Sequence, residues 1–321
     1  MDGAWQPASP AALSEGARNP ARGRDGAVAR LSWQPLHDDD LPALTDLALC
    51  CLERDGGLPL LATEPMLRQL FLAGQSIGGR DETGELITAA GVFLDRSGRR
   101  SASALIHPST RSQGIAEELI KWCREHSRGS RLRIVAETTS PESERFFADN
   151  GLSRTFAEHV MRHPLQEIPR VPRPKGVQTY PWTEDTQRLF HTAYRRSFAT
   201  RPGFPDTPEA AWVSSTAEDD GFRPDQSRVA VDRLGHVAGF VTISDNWVDQ
   251  VGVVPRWRGH GLGAHLVARS LRVMARSGWS EGWLAVNVDN PAHDLYLRLG
   301  YRDAGMRARY EDIDHRLDRS P

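Results

Sequence analysis

Apolar residues in the second half of the chain follow two spacings, one typical of strands and one typical of helices. Residues 248–253 form a run rich in β-formers that ends before Pro255, and this run predicts a strand. Residues 264–276 predict a helix, because helical spacing relates Leu266, Val267, Leu271 and Met274. Glycine is frequent between the two segments. The pattern therefore predicts a strand, a glycine-rich loop and a helix in succession.

The first half of the chain repeats this order of patterns. IHPSTRSQGIAEELI follows the strand-like SASAL, and VVPRWRGHGLGAHLV follows the strand-like WVDQVG. One constant offset matches Pro108, Arg111 and Gly114 to Pro255, Arg258 and Gly261. Each half is predicted to contain a strand, helices, a hairpin, a strand, a helix, a strand, a helix and final strands. The sequence thus predicts an α/β fold with two tandem domains of one kind.

Composition shifts set the expected domain boundaries. Residues 1–30 are rich in Ala, Gly, Pro and Arg without apolar periodicity, so we expect a disordered tail there. Four prolines occur within residues 164–176, which favours an extended linker. We expect domains at 31–163 and 177–316, and a short tail at 317–321.

Overall composition excludes several classes of protein. The chain has 321 residues, of which 39% are hydrophobic and 26% charged, with a formal net charge of −2. This balance gives no global field that would attract nucleic acid or anionic lipid. No apolar run approaches the length of a membrane span, and residues 1–30 lack the apolar core of a signal peptide. We therefore expect a cytoplasmic protein without nucleic-acid or membrane partners.

Neither cysteine nor histidine spacing predicts a metal site. The three cysteines, Cys50, Cys51 and Cys123, lack metal-ligand spacing, and their odd number suits a reducing compartment. The eleven histidines form no HExxH motif. We expect no bound metal.

The glycine-rich loop of the second half has the chemistry of an anion site. A strand–loop–helix junction directs free backbone N–H groups and the positive end of the helix at one place. Gly261 and Gly263 let the backbone approach a ligand closely, and Arg258 adds a positive charge. Its spacing matches neither a Walker loop nor a dinucleotide-binding fingerprint. The segment is therefore predicted to bind a phosphate or pyrophosphate by another arrangement.

Two segments of the second half resemble the GCN5-related N-acetyltransferase (GNAT) superfamily. RWRGHGLGA (256–264) resembles its acetyl-CoA loop, and NVDNPAHDLYLRLGY (287–301) is similar to its helix with a tyrosine. The first half has a weaker copy, RSQGIA (111–116). The resemblance covers about residues 31–316 and implies two tandem GNAT-like domains, each a mixed central sheet flanked by helices. The tandem layout with its proline-rich connector resembles the mycothiol synthases of this superfamily.

The resemblance implies how acetyl-CoA would be bound as co-substrate. The amides of Val251 and Val253 would contact the pantetheine or the acetyl oxygen. Asn290, or Asp289 in the alternative register, would contact coenzyme A near the thiol. The first half offers a second candidate loop with Arg111, Gly114 and Ala116. The pyrophosphate would lie against Arg258, Gly259, His260, Gly261, Leu262, Gly263 and Ala264.

The resemblance also implies catalytic roles. Tyr296 would protonate the leaving thiolate, since an unperturbed phenol is a donor at neutral pH. Family members often carry a base at the position of Trp247, and Asp249 is the alternative two residues later. Asp249 is the candidate base if Trp247 desolvates it and raises its pKa, or if a water chain relays the proton. The competing interpretation is that Asp249 binds the substrate's cation or lies on a solvated strand.

An acceptor pocket is expected from the helices before the hairpin. Tyr194, Phe198 and Trp247 are candidate substrate-binding residues, although aromatic residues at such positions are more often part of a core. The first copy is expected to be non-catalytic, because Ala102 stands at the position of Asp249 and Phe147 at that of Tyr296. The sequence leaves open whether the first copy binds coenzyme A.

The function implied is transfer of an acetyl or short acyl group to a primary amine of a small molecule, by direct attack in a ternary complex. Within this class the sequence leaves a mycothiol synthase and an antibiotic or natural-product acetyltransferase as alternatives. The alternative from another class is a non-catalytic sensor or regulatory module that binds acyl-CoA. The oligomeric state is left open.

Overall fold

The chain forms two compact units in a computed structural model that describes residues 31–95, 98–111, 114–127, 129–201 and 204–313. The first unit comprises residues 31–159 together with 304–313, and the second comprises residues 160–303. The tails expected at 1–30 and 317–321 lie outside the described residues. No helix in the described ranges combines the length and the apolar character that a membrane span requires.

The first unit alternates strands and helices in the predicted order. Its helices are α1 (Leu41–Asp55), α2 (Glu64–Leu67, continued by a π-helical turn at Arg68–Leu72), α3 (Ile115–His126) and α4 (Pro141–Asp149). Short 3-10 segments are Asp38–Asp40, Pro59–Ala62 and Pro108–Thr110. Its strands are β1 (Ser32–Gln34), β2 (Gln75–Arg80), β3 (Leu86–Leu94), β4 (Arg100–Ile106), β5 (Arg133–Ala136) and β6 (Leu152–His163), the last of which crosses the boundary between units.

The second unit repeats this order. Its helices are α5 (Gln187–Phe198), α6 (Glu209–Ala217), α7 (Leu262–Arg276) and α8 (Ala292–Arg298), with a 3-10 turn at Pro255–Trp257. Its strands are β7 (Val177–Tyr180), β8 (Arg228–Asp232), β9 (Val237–Ser244), β10 (Trp247–Val253) and β11 (Gly282–Asn287). The last strand of the chain, β12 (Arg302–Asp312), begins here and continues into the first unit. The predicted strand–loop–helix succession is confirmed, and α7 begins two residues before the predicted start.

Both units contain a mixed sheet, as an α/β fold of this kind predicts. The first has the strand order β1-β2-β3-β4-β5-β12-β6, and the second has β11-β10-β9-β8-β7. Each unit contains a parallel pair, β4 with β5 in the first and β10 with β11 in the second. Helices cover the sheets, so the predicted fold class is confirmed.

The last strand of the chain differs from the expected domain boundary. The prediction places it in the second domain, which was expected to span 177–316. Instead, Ala308 of β12 lies opposite Ala136 of β5, in antiparallel pairing. The ring of Tyr310 packs on Phe147 of α4 at 4.4 Å between centroids. Residues 304–313 therefore complete the first unit, because their backbone and side-chain partners lie there.

The sheet of the second unit has a separate core on each face. Helices α7 and α8 cover one face, where Val241 and Ile243 of β9 pack against Leu266. Helices α5 and α6 cover the other, where Phe240 packs with aromatic residues. Strand side chains alternate between faces, so Thr242 and Ser244 share the α5/α6 face with Phe240. This face is thereby apolar at one end and polar at the other.

The proline-rich segment 164–176 packs along α7 without regular secondary structure. The Arg272 guanidinium donates to the Pro169 carbonyl at 2.9 Å. The His265 ring lies 2.9 Å from the Val171 carbonyl through Nδ1. The segment expected to be a linker therefore lies within the second unit and contacts α7 through the carbonyls of Pro169 and Val171.

Candidate active site

A cleft opens between β10 and β11 because these parallel strands are paired at one end only. Within these two fully described strands, the register pairs Trp247 with Trp283 alone, and the Trp283 amide donates to the Asn246 carbonyl at 2.9 Å. On its other side β10 pairs continuously with β9, apart from a bulge between Val248 and Gln250. The extra residue of the bulge increases local twist, which favours divergence of the strands.

Backbone N–H groups of β10 point into this cleft. The Val254 amide donates to the Ala238 carbonyl of β9 at 3.0 Å. Successive amides in a strand point to opposite sides. The amides of Val251 and Val253 therefore point away from β9, toward the side where β11 has diverged. These are the two amides that the sequence analysis predicts to contact acetyl-CoA.

The glycine-rich loop joins β10 to the N-terminus of α7. Gly259 and Gly261 adopt φ of 77° and 78°, which β-carbon-bearing residues seldom adopt, and Gly261 is the N-cap of α7. The amides of Leu262, Gly263 and Ala264 fall in the first turn, where no intrahelical carbonyl can accept them. The sequence of this turn contains no acidic side chain. The junction thus presents donors and the positive helix end to an anion.

Arg258 stands beside these donors with its charge uncompensated. Its Nε donates to the Val253 carbonyl at 3.1 Å, and its Nη2 donates to the Ser197 carbonyl at 2.9 Å. Across the described ranges, Arg258 makes no ion pair with a carboxylate. Both acceptors are neutral, so they orient the guanidinium and leave its full charge available to a ligand.

Close packing of α5 on β10 places the Ser197 carbonyl there. A β-carbon on Gly252 would lie 2.7 Å from Cβ of Ser197 and 2.7 Å from the Phe240 ring. Glycine at this position lets the end of α5 approach the strand. The orientation of Arg258 therefore depends on a helix from the other face of the sheet.

Tyr296 lies in α8, in the core between α7 and the sheet. The residue is 6% exposed. Burial raises the pKa of its hydroxyl to about 12, while the positive charge of Arg201 opposes this rise. The ring contacts that of Tyr301 at 5.9 Å between centroids. Tyr296 is therefore protonated at neutral pH and available as a hydrogen donor.

Asp249 is the extra residue of the β10 bulge. Its Oδ2 accepts a hydrogen bond from the Thr242 hydroxyl at 3.0 Å. Burial raises the pKa of Asp249 to about 6, and the negative charge of Asp219 contributes, while hydrogen bonds from Thr242 and Gln250 oppose the rise. A carboxylate of this kind is a far better proton acceptor near neutral pH than an ordinary aspartate.

Asp249 and Tyr296 lie on opposite faces of the same sheet. The contact with Thr242 places Asp249 on the α5/α6 face, whereas Tyr296 belongs to the core under α7 and α8. The cleft beside β10 is a gap in the sheet and lies between these two faces. An amine and a thioester could therefore approach one cleft from opposite sides.

The aromatic residues predicted to bind substrate are largely buried. Trp247 stacks on Trp283 at 5.8 Å between ring centroids, and it is 4% exposed. Tyr194 and Phe198 pack against each other and against Phe240. These contacts belong to the core of the α5/α6 face, and a role in substrate binding stays a prediction for all three residues.

Two other predicted cofactor residues make local hydrogen bonds. The Asn290 side chain accepts from the Ala292 amide at 3.0 Å, which fixes the start of α8. The alternative residue, Asp289, is exposed, and its amide donates to the Asn287 side chain. His260 is also exposed, and its Nδ1 lies 2.8 Å from the Arg258 carbonyl. The imidazole of His260 is thus bound to its own loop, which leaves its amide as the group offered to an anion.

The first unit contains a similar loop with a different charge. Gly114 is the N-cap of α3 at φ 78°, with Ala116 in the first turn. The Arg111 guanidinium, however, forms an ion pair with Asp55 at 2.6 Å. Glu117 and Glu118 add two negative charges to the same helical turn. Negative charge at this end of a helix opposes anion binding.

Four residues that the sequence analysis did not single out belong to this site. Thr242 and Gln250 contact Asp249, Asp219 acts on it through its charge, and Ser197 holds Arg258 through its carbonyl. The side-chain oxygen of Gln250 is buried and has no hydrogen-bond partner in the described part of the chain. The only sequence signal for these residues is the polar pair Thr242 and Ser244 within the apolar strand β9.

Comparison with known proteins finds sequence similarity to acetyltransferases. Residues 183–301 match the model of the acetyltransferase (GNAT) family. The mycothiol acetyltransferase of Clavibacter michiganensis subsp. michiganensis is 28% identical over 230 residues, which cover 69% of this chain and 75% of that protein.

Solved structures share the fold. A GCN5-related N-acetyltransferase from Sphaerobacter thermophilus superposes with a TM-score of 0.70 at 23% identity, covering 88% of this chain and 95% of that one. A tandem GNAT protein from the clavulanic acid biosynthesis pathway has a TM-score of 0.59 at 20% identity, covering 88% and 99%. The tandem arrangement therefore has a structural precedent.

Proposed function

Because residues 183–301 match the model of the acetyltransferase (GNAT) family, we propose that this protein transfers an acetyl group from acetyl-CoA to a primary amine of a small molecule. The observation that carries the proposal is the open side of β10. There, two backbone amides, the glycine loop and an uncompensated arginine follow one another along one cleft. This arrangement suits a long, thin ligand with a pyrophosphate near one end.

The second unit binds acetyl-CoA by backbone groups. The first-turn amides of α7 and the Arg258 guanidinium hold the pyrophosphate. The amides of Val251 and Val253 pair with the pantetheine as an added strand would. An amide directed at the acetyl oxygen stabilises the negative charge that develops there when the amine attacks.

Asp249 is the general base of the proposed reaction. The acceptor arrives mostly as an ammonium ion, which cannot attack until it loses a proton. Asp249 takes that proton, and its raised pKa of about 6 keeps it a useful base while it remains ionised at neutral pH. The unpartnered oxygen of Gln250 lies beside it and accepts a second N–H of the amine.

Tyr296 is the general acid. As the new N–C bond forms and the C–S bond breaks, Tyr296 gives its proton to the departing thiolate. The phenolate regains a proton from the nitrogen, which loses its second proton on becoming an amide. In the net reaction an ammonium ion and acetyl-CoA give an N-acetyl product, the free thiol and one proton.

Attack is direct, without an acyl-enzyme. All three cysteines, Cys50, Cys51 and Cys123, lie in the first half of the chain. Burial raises the pKa of Cys51 to about 11 and that of Cys123 to about 12, so neither is a thiolate at neutral pH. A covalent intermediate on sulfur is therefore not part of the proposal.

Relatives named mycothiol acetyltransferase favour the amine that those enzymes acetylate as the first acceptor to test. Antibiotics and natural products with a primary amine are the next acceptors on the panel. The experiment incubates the full chain with acetyl-CoA and each amine, follows release of free thiol, and identifies the product by mass spectrometry. Turnover of one amine that Asp249→Asn and Tyr296→Phe each strongly reduce supports the proposal. Tight binding of acetyl-CoA without turnover of any amine would instead support a sensor.

A further inference from the structure

A polar strip runs along the α5/α6 face of β9, where the rest of the strand is apolar. Its members are Thr242 and Ser244, both buried. The Thr242 hydroxyl donates to Asp249, and the Ser244 hydroxyl lies 3.3 Å from both carboxylate oxygens of Asp219. Two positions along a strand span about 7 Å. The strip therefore holds two carboxylates at neighbouring positions on one face.

Asp219 is fixed in place by the loop that follows α6. Its Oδ1 also accepts from the Gly221 amide at 2.8 Å, and its own carbonyl accepts from the Phe222 amide at 2.9 Å. Phe222 forms an isolated β-bridge with Ser244. The hydroxyl contact and the bridge with Ser244 thus attach this loop to the end of β9, and the two hydrogen bonds within the loop fix its turn, so the carboxylate has a defined position.

We propose that Asp219 is a positioning residue of the reaction: its negative charge, anchored on this strip by Ser244, increases the proton affinity of the Asp249 carboxylate. The inference rests on the proposed function for the role of Asp249 as a base. A like charge at this distance disfavours ionisation of its neighbour. Asp219 thereby strengthens the base without touching the amine or acetyl-CoA.

The other charges nearby do not cancel this effect. Asp245 lies one residue beyond Ser244 and is paired with Arg223. No ion pair of Asp219 is found within the described ranges. Its carboxylate therefore accepts hydrogen bonds from neutral donors, and its negative charge is not neutralised. Burial raises the pKa of Asp249, Asp219 adds to this rise, and the opposing groups, Thr242 and Gln250, are uncharged. Asp219 is therefore the charged group that acts on Asp249.

The coupling can be measured without knowing the acceptor. Full-length protein labelled with ¹³C at the aspartate carboxyls is titrated by NMR, and the Asp249 resonance is assigned by its loss in Asp249→Asn. We expect Asp219→Asn to lower the Asp249 midpoint by about 0.5 to 1.5 pH units, the range for one charge at this distance. Asp219→Glu should restore most of it. Asp220, the exposed residue next to Asp219, provides the control: Asp220→Asn should leave the Asp249 midpoint unchanged.

The same variants are then compared in the thiol-release assay as a function of pH. For Asp219→Asn, the acid limb of kcat/KM should move to lower pH by the same amount, with kcat reduced and KM little changed. Ser244→Ala, which removes the anchor and keeps the charge, should give a smaller shift in the same direction and serves if Asp219→Asn fails to fold. An Asp249 midpoint that is equal in wild type, Asp219→Asn and Ser244→Ala overturns the inference. A lowered midpoint with no turnover of any amine would contradict the proposed function and leave the coupling intact.

Discussion

The two units share a layout and differ in charge at the same place. Arg258 and Arg111 both follow a central strand and precede a left-handed glycine at a helix N-cap. Arg258 is held by two neutral carbonyls, whereas Arg111 is neutralised by Asp55. Repeated geometry thus does not mean repeated chemistry, because one carboxylate on a neighbouring helix decides whether the arginine can attract an anion.

The central strands differ as well. In the second unit, β10 has a bulge that projects Asp249 toward Thr242. In the first, the β3–β4 register runs without a break from Thr88 opposite Ile106 to Leu94 opposite Arg100. A regular strand offers no extra residue at this position, where Ala102 is fully buried. The proposed base and the distortion that presents it therefore occur together in the second unit.

In the first unit, the main chain that follows α1 packs against the end of β5. After α1, the Gly57 amide donates to the Ala304 carbonyl and the Leu58 amide to the Glu137 carbonyl, both at 2.8 Å. A β-carbon on Gly57 would lie 2.5 Å from that Glu137 oxygen. The main chain after α1 is therefore in direct contact with the residue that follows β5. Together with Phe147 at the position of the proposed acid Tyr296, this favours a structural role for the first unit.

The largest expected effect is on turnover. Asp249→Asn and Tyr296→Phe should each reduce kcat by about 10²- to 10⁴-fold, because each removes a proton-transfer group. The matched control in the first unit is Phe147→Leu, which should leave kcat within about twofold after correction for folded protein. Steady-state thiol release measures all three. A loss of turnover in Phe147→Leu as large as that in Tyr296→Phe would contradict the division of roles.

A second test compares the two loop arginines. Arg258→Ala should weaken acetyl-CoA binding by about 10- to 100-fold, the value of one charge-assisted contact to a phosphate. Arg111→Ala should leave the Kd unchanged and lower stability, because Asp55, 9% exposed in its side chain, loses its cation. Isothermal titration gives the Kd and denaturant unfolding gives the stability. Equal losses of affinity in both variants would show that both loops bind acetyl-CoA.

A third test uses the two left-handed glycines. Gly261→Ala and Gly114→Ala should each cost about 1 kcal/mol of stability, because both residues have φ of 78° and open space around the missing β-carbon. Only Gly261→Ala should also raise the Kd for acetyl-CoA, since it displaces the amides of α7. The pair thus separates strain from ligand binding. An equal increase in the Kd for acetyl-CoA with both substitutions would contradict this expectation.

The smallest expected effect is on how the stability of the fold depends on pH. A folded-state pKa of about 6 for Asp249, above the ordinary value of about 3.9, means that the folded state binds the proton more tightly. Ionised Asp249 therefore destabilises the fold above pH 6, and this cost disappears as the pH falls toward 4. Asp249→Asn should be more stable than wild type at pH 8 by on the order of 1 kcal/mol, and by less at pH 4.5. Denaturant unfolding at the two pH values checks this, with Asp220→Asn as the control.

Local patterns predicted much of this fold and part of the site. The spacing of Arg258 and Gly261 and the apolar stripe of α7 predict the loop and helix, because both depend on nearby residues. The sequence does not show that Asp55 forms an ion pair with Arg111, and it does not show that the charge of Asp219 acts on Asp249. Each pair joins separate elements, and whether the two charges meet depends on how a helix or loop packs on the sheet. The bulge at Asp249 is equally a product of strand pairing.

Strand β12 has a consequence for how the chain folds. Its residues pair with β5 inside the sheet of the first unit, and the Thr139 and Tyr310 hydroxyls meet at 3.2 Å although they are 171 positions apart. Synthesis proceeds from the N-terminus, and domains generally fold as units when their residues have emerged. The first unit therefore lacks an interior strand until residues 304–312 have been synthesised, whereas the core of the second unit is already complete at residue 303. On the ribosome, the unit whose synthesis begins first is the last of the two to close.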